Sequence, residues 1–212
     1  MVVIGQDGAA TGKALFDSLG QSIGMSGTVL GLTSLAAPHE NIGWRELFNI
    51  ASGEFDVPAF ANGEVAKDKE SLWDTLNENG YVFGIYDPGN SGTYCIDSHV
   101  ANAITEDLNY WERVKVIYKA IRGLDNAAHP YILSPLPLED DGTLEIGKSQ
   151  EIENALGVPL TQMEQEGNIS GFTIIVDRDV SSNELNVEVR ILPVNTSRSI
   201  EIVIGYTLTL TT

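Results

Sequence analysis

The chain changes period in its last third, and that change restricts the fold more than any other feature. Between Leu185 and Leu192 the side chains alternate, with Val187, Val189 and Ile191 on one side and Glu188 and Arg190 on the other. From Ser199 to Leu210 the pattern repeats and puts Ile200, Ile202, Ile204, Tyr206, Leu208 and Leu210 on one face. Alternation marks a strand buried on one side, because successive β side chains point to opposite faces. Two such strands joined by Pro193–Arg198 predict a long antiparallel hairpin at the end of the chain. Phe172–Asp177 reads as a further strand before it.

Upstream the period is helical. Thr105–Leu124 is expected to be the central core helix, with Thr105 as N-cap and Glu106 and Asp107 at the positive end of its dipole. Leu108, Trp111, Val114, Tyr118 and Ile121 recur at three- and four-residue steps and form its expected apolar stripe. Asp140-Asp141-Gly142 is a turn, and Ser149–Glu166 is a second helical stretch, with an interruption expected near Gly157–Pro159. The predicted class is therefore α+β, with mixed sheets packed against helices and a C-terminal antiparallel hairpin. A length of 212 residues suits one domain over 1–212, within which 168–212 forms a candidate β-rich subdomain.

The first half is punctuated by turns. Val2–Ile4 predicts a short buried strand, followed by a Gly-rich turn and a helix over Ala10–Leu19. Gly20, Gly24, Gly27 and Gly31 then suggest a helix packed closely on another backbone, ending by Ala36–Pro38. Asn41–Ala51 and Lys67–Gly80 are expected to be helices, the second stopped by Asn79-Gly80. Tyr81–Asp87 and Thr93–Asp97 are strand-like, and the turn residues at 88–92 between them predict a hairpin. Trp44, Trp73 and Trp111 are read as core residues on helical faces.

The opening stretch has the outline of a phosphate loop, but the spacing fails. A loop of that kind needs a glycine five residues before Gly12, where Asp7 stands, and a hydroxyl after Lys13, where Ala14 stands. A carboxylate repels phosphate and alanine gives magnesium no ligand, so Asp7 is read as a turn or cap residue. The chain carries 30 acidic and 12 basic residues, a formal charge of -18. That balance argues against direct nucleic-acid binding, which depends on Lys and Arg displacing counterions. Cys95 is the only cysteine, so an intrachain disulfide is excluded. No apolar run has a membrane-crossing length and no signal-peptide pattern precedes the first strand, so a soluble protein made in a cytoplasm is expected.

His39, His99 and His129 are far apart in sequence, and no pair has metal-ligand spacing. Asp97-Ser98-His99 is the tightest group of carboxylate, hydroxyl and imidazole. It supports an alternative reading as a small hydrolase or metal-dependent enzyme centred on Asp97 and His99. The plainer reading is a polar turn before the core helix. Adjacent carboxylates such as Glu139–Asp141 are expected by chance in so acidic a chain. No catalytic, cofactor or metal site is assigned. The final strand stands out instead, because Thr207–Thr212 carries no charge or proline to block pairing with another chain. Ile200, Ile202, Tyr206, Thr207, Leu208, Thr209 and Leu210 are therefore the predicted subunit interface.

Taken in order, these segments resemble a known family. Glu40–Gly43 (ENIG), Gly80–His99 (GYVFGIYDPGNSGTYCIDSH) and Asp107–Leu124 (DLNYWERVKVIYKAIRGL) are similar to the conserved core of contractile phage tail sheath proteins. The similarity continues through Asp141-Gly142, Met163–Gly171 and Val189–Tyr206, with Arg113, Lys119, Ala120, Arg122, Ile169, Ser170, Gly171, Pro193 and Val194 at pattern positions. The motifs are individually weak and specific mainly in their order. The resemblance implies a non-enzymatic virion subunit that stacks in rings around a tail tube and contracts by repacking, without cofactors. It implies self-association, a tail tube protein and baseplate or terminator proteins as partners, and assembly in a bacterial host cytoplasm. Sheath proteins carry an arm and an outer domain ahead of this core, so a chain starting at Met1 is expected to be monomeric on its own.

Overall fold

The computed structural model describes residues 1–8, 24–50, 57–60, 62–87, 91–103, 105–180 and 184–202. The predicted helix over Ala10–Leu19 and the interface residues Tyr206–Leu210 lie outside them. The class is α+β. Strand β1 (Val2–Val3) pairs in parallel with β4 (Tyr81–Val82), and β2 (Gln6–Asp7) pairs antiparallel with β3 (Pro58–Ala59). Strands β5 (Gly84–Tyr86) and β6 (Thr93–Cys95) form the expected short hairpin. Asp7 is thus a strand residue rather than a turn or cap.

Of these small strands, β4, β5 and β6 are largely buried. Val82 and Cys95 join Met25, Val29, Leu32 and Ile42 in one apolar cluster. Their neighbours Phe83 and Tyr94 join Ile85, Trp73 and Leu76 in another. Helix α1 (Met25–Leu35) packs on the first cluster through Met25, Val29 and Leu32. A Cβ at Gly27 or Gly31 would meet nothing within 4 Å, so these glycines do not mediate the close packing their spacing suggested. Residues 41–50 are turns, not the expected helix, because the Asn41 side chain competes for the backbone. Trp44 is accordingly exposed. Lys67–Gly80 is a 3-10 helix over Ala66–Leu72, kinked at Lys69, followed by α2 (Trp73–Glu78). Gly80 ends it at φ +78°.

The second half is built from long elements around one cluster. Helices α3 (Trp111–Ala128) and α4 (Ile146–Gln165) pack against each other, and α4 packs on a hairpin of β7 (Ile169–Val176) and β8 (Val187–Pro193). Helix α3 starts at Trp111 rather than Thr105, and its face is rotated from the predicted one. Glu112, Val116 and Ala120 are buried, whereas Tyr118 and Ile121 are exposed. The rotation lets small residues meet α4: a Cβ at Gly123 would lie 2.9 Å from the Pro159 Cβ. Helix α4 runs through Pro159 without the expected interruption and buries Ile152, Leu156, Leu160 and Met163.

Strand β8 pairs antiparallel with β7, which gives the chain a C-terminal antiparallel hairpin; most of the expected partner strand over Ser199–Leu210 lies outside the described residues. The expected inward face is correct, with Val187, Val189 and Ile191 against the α4 cluster. Residues 194–202 form no strand or helix and run as a strap back towards the first half. Ile200 and Ile202, expected inward, are 80% and 75% exposed.

Candidate functional site

The apolar clusters of the two halves share no residue. The halves meet instead along a polar seam. At one end the Lys115 ammonium of α3 donates to the Thr33 carbonyl at 3.0 Å and the Ala36 carbonyl at 2.5 Å, satisfying the C-terminus of α1. Burial pulls the Lys115 ammonium below its ordinary range, and Glu40 partly offsets that. Beside it, His39 Nδ1 lies 3.2 Å from Asn168 Oδ1 at the base of β7.

The centre of the seam holds two buried carboxylates. The Tyr110 stretch positions them: Val100 N–H donates to the Asn109 carbonyl at 3.0 Å and Trp111 N–H to the Ser98 carbonyl at 2.9 Å. The second bond uses one of the free amides at the start of α3 and brings Asp97 and Ser98 against Glu112. Asn41 fixes them from the other side. Its Oδ1 accepts the Gly43 N–H at 2.7 Å, which turns its amide towards Asp97 Oδ1 at 2.6 Å and towards Ser98 Oγ and Glu112 Oε1, each at 3.2 Å. Ser98 N–H donates to Asp97 Oδ1 at 2.8 Å, and Ser98 Oγ donates to Glu112 Oε2. Arg198 of the strap closes the cluster, with Nε 2.9 Å from Asp97 Oδ2 and Nη2 2.8 Å from Glu112 Oε1. Its guanidinium carbon lies 3.4 Å from the centre of the Tyr110 ring. Burial works against the Arg198 charge, but Asp97 and Glu112 more than offset it and hold the group above its ordinary value.

This geometry bears on the hydrolase alternative. Asp97, Ser98 and His99 are brought together as the sequence suggested, but they are 5%, 0% and 3% exposed. The Ser98 proton is directed at Glu112, not at an imidazole. His99 Nε2 stands 3.0 Å from Asn77 Oδ1 and 4.0 Å from Asp97 Oδ2, while Nδ1 has no hydrogen-bond partner among the described residues. Burial lowers the His99 pKa; Asp97 opposes this, Arg198 reinforces it and Glu112 opposes it. Among the described residues the Ser98 hydroxyl is engaged by the Glu112 carboxylate and all three side chains are buried, so the group ties chain segments together. Among the described residues no group of three or more His, Cys, Asp or Glu is placed to hold a metal ion. Asn41, Glu112 and Arg198 belong to no chemical motif, although they fall within the segments Glu40–Gly43, Asp107–Leu124 and Val189–Tyr206 that carry the family resemblance.

The other feature with functional content is the second-half hairpin. Among the described residues β7 and β8 pair only with each other. A groove of about 780 Å³ separates β7 from α4 and is lined by Gly157, Val158, Thr161, Phe172, Thr173 and Ile174. Three consecutive strand residues line it although their side chains alternate faces, so the groove follows the strand edge. A second groove of about 420 Å³ lies between α3 and the end of β8, beside Leu108, Val116, Ile191, Pro193 and Val194.

Comparison with known proteins places this architecture. Residues 107–211 match the model of the family described as DUF2586, C-terminal domain. No curated protein matches the chain significantly. Among solved structures, the chain is similar to one from the cryo-EM structure of the anti-feeding prophage (AFP) baseplate, 6-fold symmetrised, with a TM-score of 0.61 and 13% identity. The likeness covers 89% of this chain and 51% of that one, so the chain spans about half the length of its structural relative. At that identity the shared property is the fold. Neither comparison names a tail sheath, so the sheath resemblance is supported at the level of a fold found in a prophage baseplate structure.

Proposed function

We propose that this chain is a structural subunit of a contractile phage tail sheath or related injection machine. It assembles around a tail tube and acts by rearrangement of subunits rather than by catalysis. The observation that carries this reading is the β7–β8 hairpin, whose strands pair with no other described strand and which has a groove along β7, in a fold shared with a chain of a prophage baseplate structure. An open edge presents a row of backbone donors and acceptors to an extended segment of another chain. The end of the strap and the residues after it supply such a segment: Ile200 and Ile202 are exposed, and in sequence Tyr206–Leu210 continue the alternation. Its partners in this reading are further copies of itself, the tube protein and baseplate or terminator proteins. The acidic chain does not contact nucleic acid.

The test is deletion of residues 207–212 from the intact gene product, co-expressed with the tube protein. The chain is expected to stay folded and monomeric, with no tubes in electron micrographs; tubes of normal length refute the reading. The likeness to a baseplate-structure chain favours a second reading within the same machine, a subunit forming a single ring at the sheath's base. Rings without tubes from the undeleted protein would decide for it.

A further inference from the structure

The site that holds Arg198 is complete without it. Asp97, Glu112 and Asn41 are 5%, 4% and 8% exposed and belong to the body of the molecule. Their orientation is set by the bonds from Asn41, the Ser98 amide and the Ser98 hydroxyl, none of which involves the strap. Tyr110 supplies a flat wall held by the Val100–Asn109 and Ser98–Trp111 backbone bonds on either side of it. The strap depends on this site. Residues 194–202 lie in no strand or helix, and residues 197–202 are exposed. Arg198 is the strap residue that reaches buried acids of the first half.

We propose that Asn41, Asp97, Tyr110 and Glu112 form a guanidinium-binding socket, with Arg198 as an exchangeable occupant that fastens the outgoing C-terminal strap. The ligand class follows from the shape. Two carboxylates receive two different nitrogens of one planar group while a ring covers its face, an arrangement that fits the flat fork of a guanidinium better than the point charge of an ammonium. The socket also links strap and seam. Withdrawal of Arg198 leaves two buried carboxylates facing each other without a cation, so the seam must loosen or take another guanidinium, such as the arginine of a second copy's strap. This inference stands on the site geometry and does not depend on the assembly reading above.

Chemical rescue tests it. The R198A chain is expected to melt roughly 4–8 °C lower than the parent, and R198K nearly as low, because lysine keeps the charge but not the fork. Millimolar ethylguanidinium recovers several degrees in R198A, ethylammonium at equal ionic strength does not, and the parent responds to neither. Recovery disappears in R198A/D97N. If R198A is unfolded at room temperature, the folded fraction with each cation, read by far-UV circular dichroism, gives the same comparison. Equal effects of the two cations, or rescue that persists in R198A/D97N, overturn the proposal.

Discussion

The two halves of this molecule solve the same problem by opposite means. Residues 105–193 use long helices and a long hairpin around one continuous apolar cluster, anchored by Leu144, Ile152 and Leu160 at 0–1% exposure. Residues 1–103 use strands of two or three residues, two separate clusters and side chains that bond to backbone. The second kind of structure cannot rely on hydrophobic burial alone, since short strands bring few apolar neighbours. Its shape is set by turns and by the polar seam. The difference teaches where each half is vulnerable: the second to loss of volume, the first to loss of a few exact hydrogen bonds and close backbone approaches.

The largest effect should come from the core of the second half. Leu160→Ala removes a fully buried side chain from α4 and is expected to cost about 3–4 kcal/mol in urea denaturation. A cost below about 1 kcal/mol would mean that this cluster is not the main source of stability. Next comes Gly43→Ala in the first half. The new Cβ would lie 2.9 Å from the Cys95 carbonyl, 3.0 Å from Asn41 Oδ1 and 3.3 Å from the Ile96 carbonyl. Two of these are backbone atoms, so a loss of about 1–3 kcal/mol is expected. Cys95 reports on it directly. Burial pushes its thiol up to about 12, with Arg45 partly opposing, so it should resist thiol reagents in the parent and react faster in the variant.

A pH titration separates the seam from the cores. His99 has a folded pKa below its unfolded value of about 6.5, so the unfolded chain takes up the proton first. Its contribution to stability is therefore complete above that value and is lost as pH falls below it. His99→Gln should flatten the decline in urea midpoint between neutral and mildly acidic pH; an unchanged slope would remove His99 from the account. The smallest effect is a gain. Leu133 is fully exposed at φ +60°, so Leu133→Asn should add roughly 0.5–1 kcal/mol. A loss there would show that the leucine makes a contact within the fold.

Legibility in the sequence follows the same division. Long elements carry a period, and the existence of α3, α4 and the β8 face was readable from it. The rotation of α3 was not, because counting apolar residues passes over a buried Glu112 and the small residues Ala120 and Gly123. The β7–β8 pairing was not read from the sequence because the connection at 177–186 is long and carries no tight-turn signal. In the first half, strands of two residues are too short to show any period. The seam was half visible: Asp97 and His99 stood out as chemistry-bearing types, but Arg198 reaches Asp97 across 101 positions and Glu112 across 86, which no local pattern reveals.

In the proposed assembly the β7–β8 hairpin receives a strand from another chain. Amide hydrogen exchange measured residue by residue, in the free chain and in the assembled particle, tests it most directly. The outward-directed amides of β7 should exchange quickly in the free chain and become strongly protected on assembly, while those already paired with β8 change little. If the outer edge of β7 exchanges at the same rate in both states, the hairpin is not the acceptor and the claim fails.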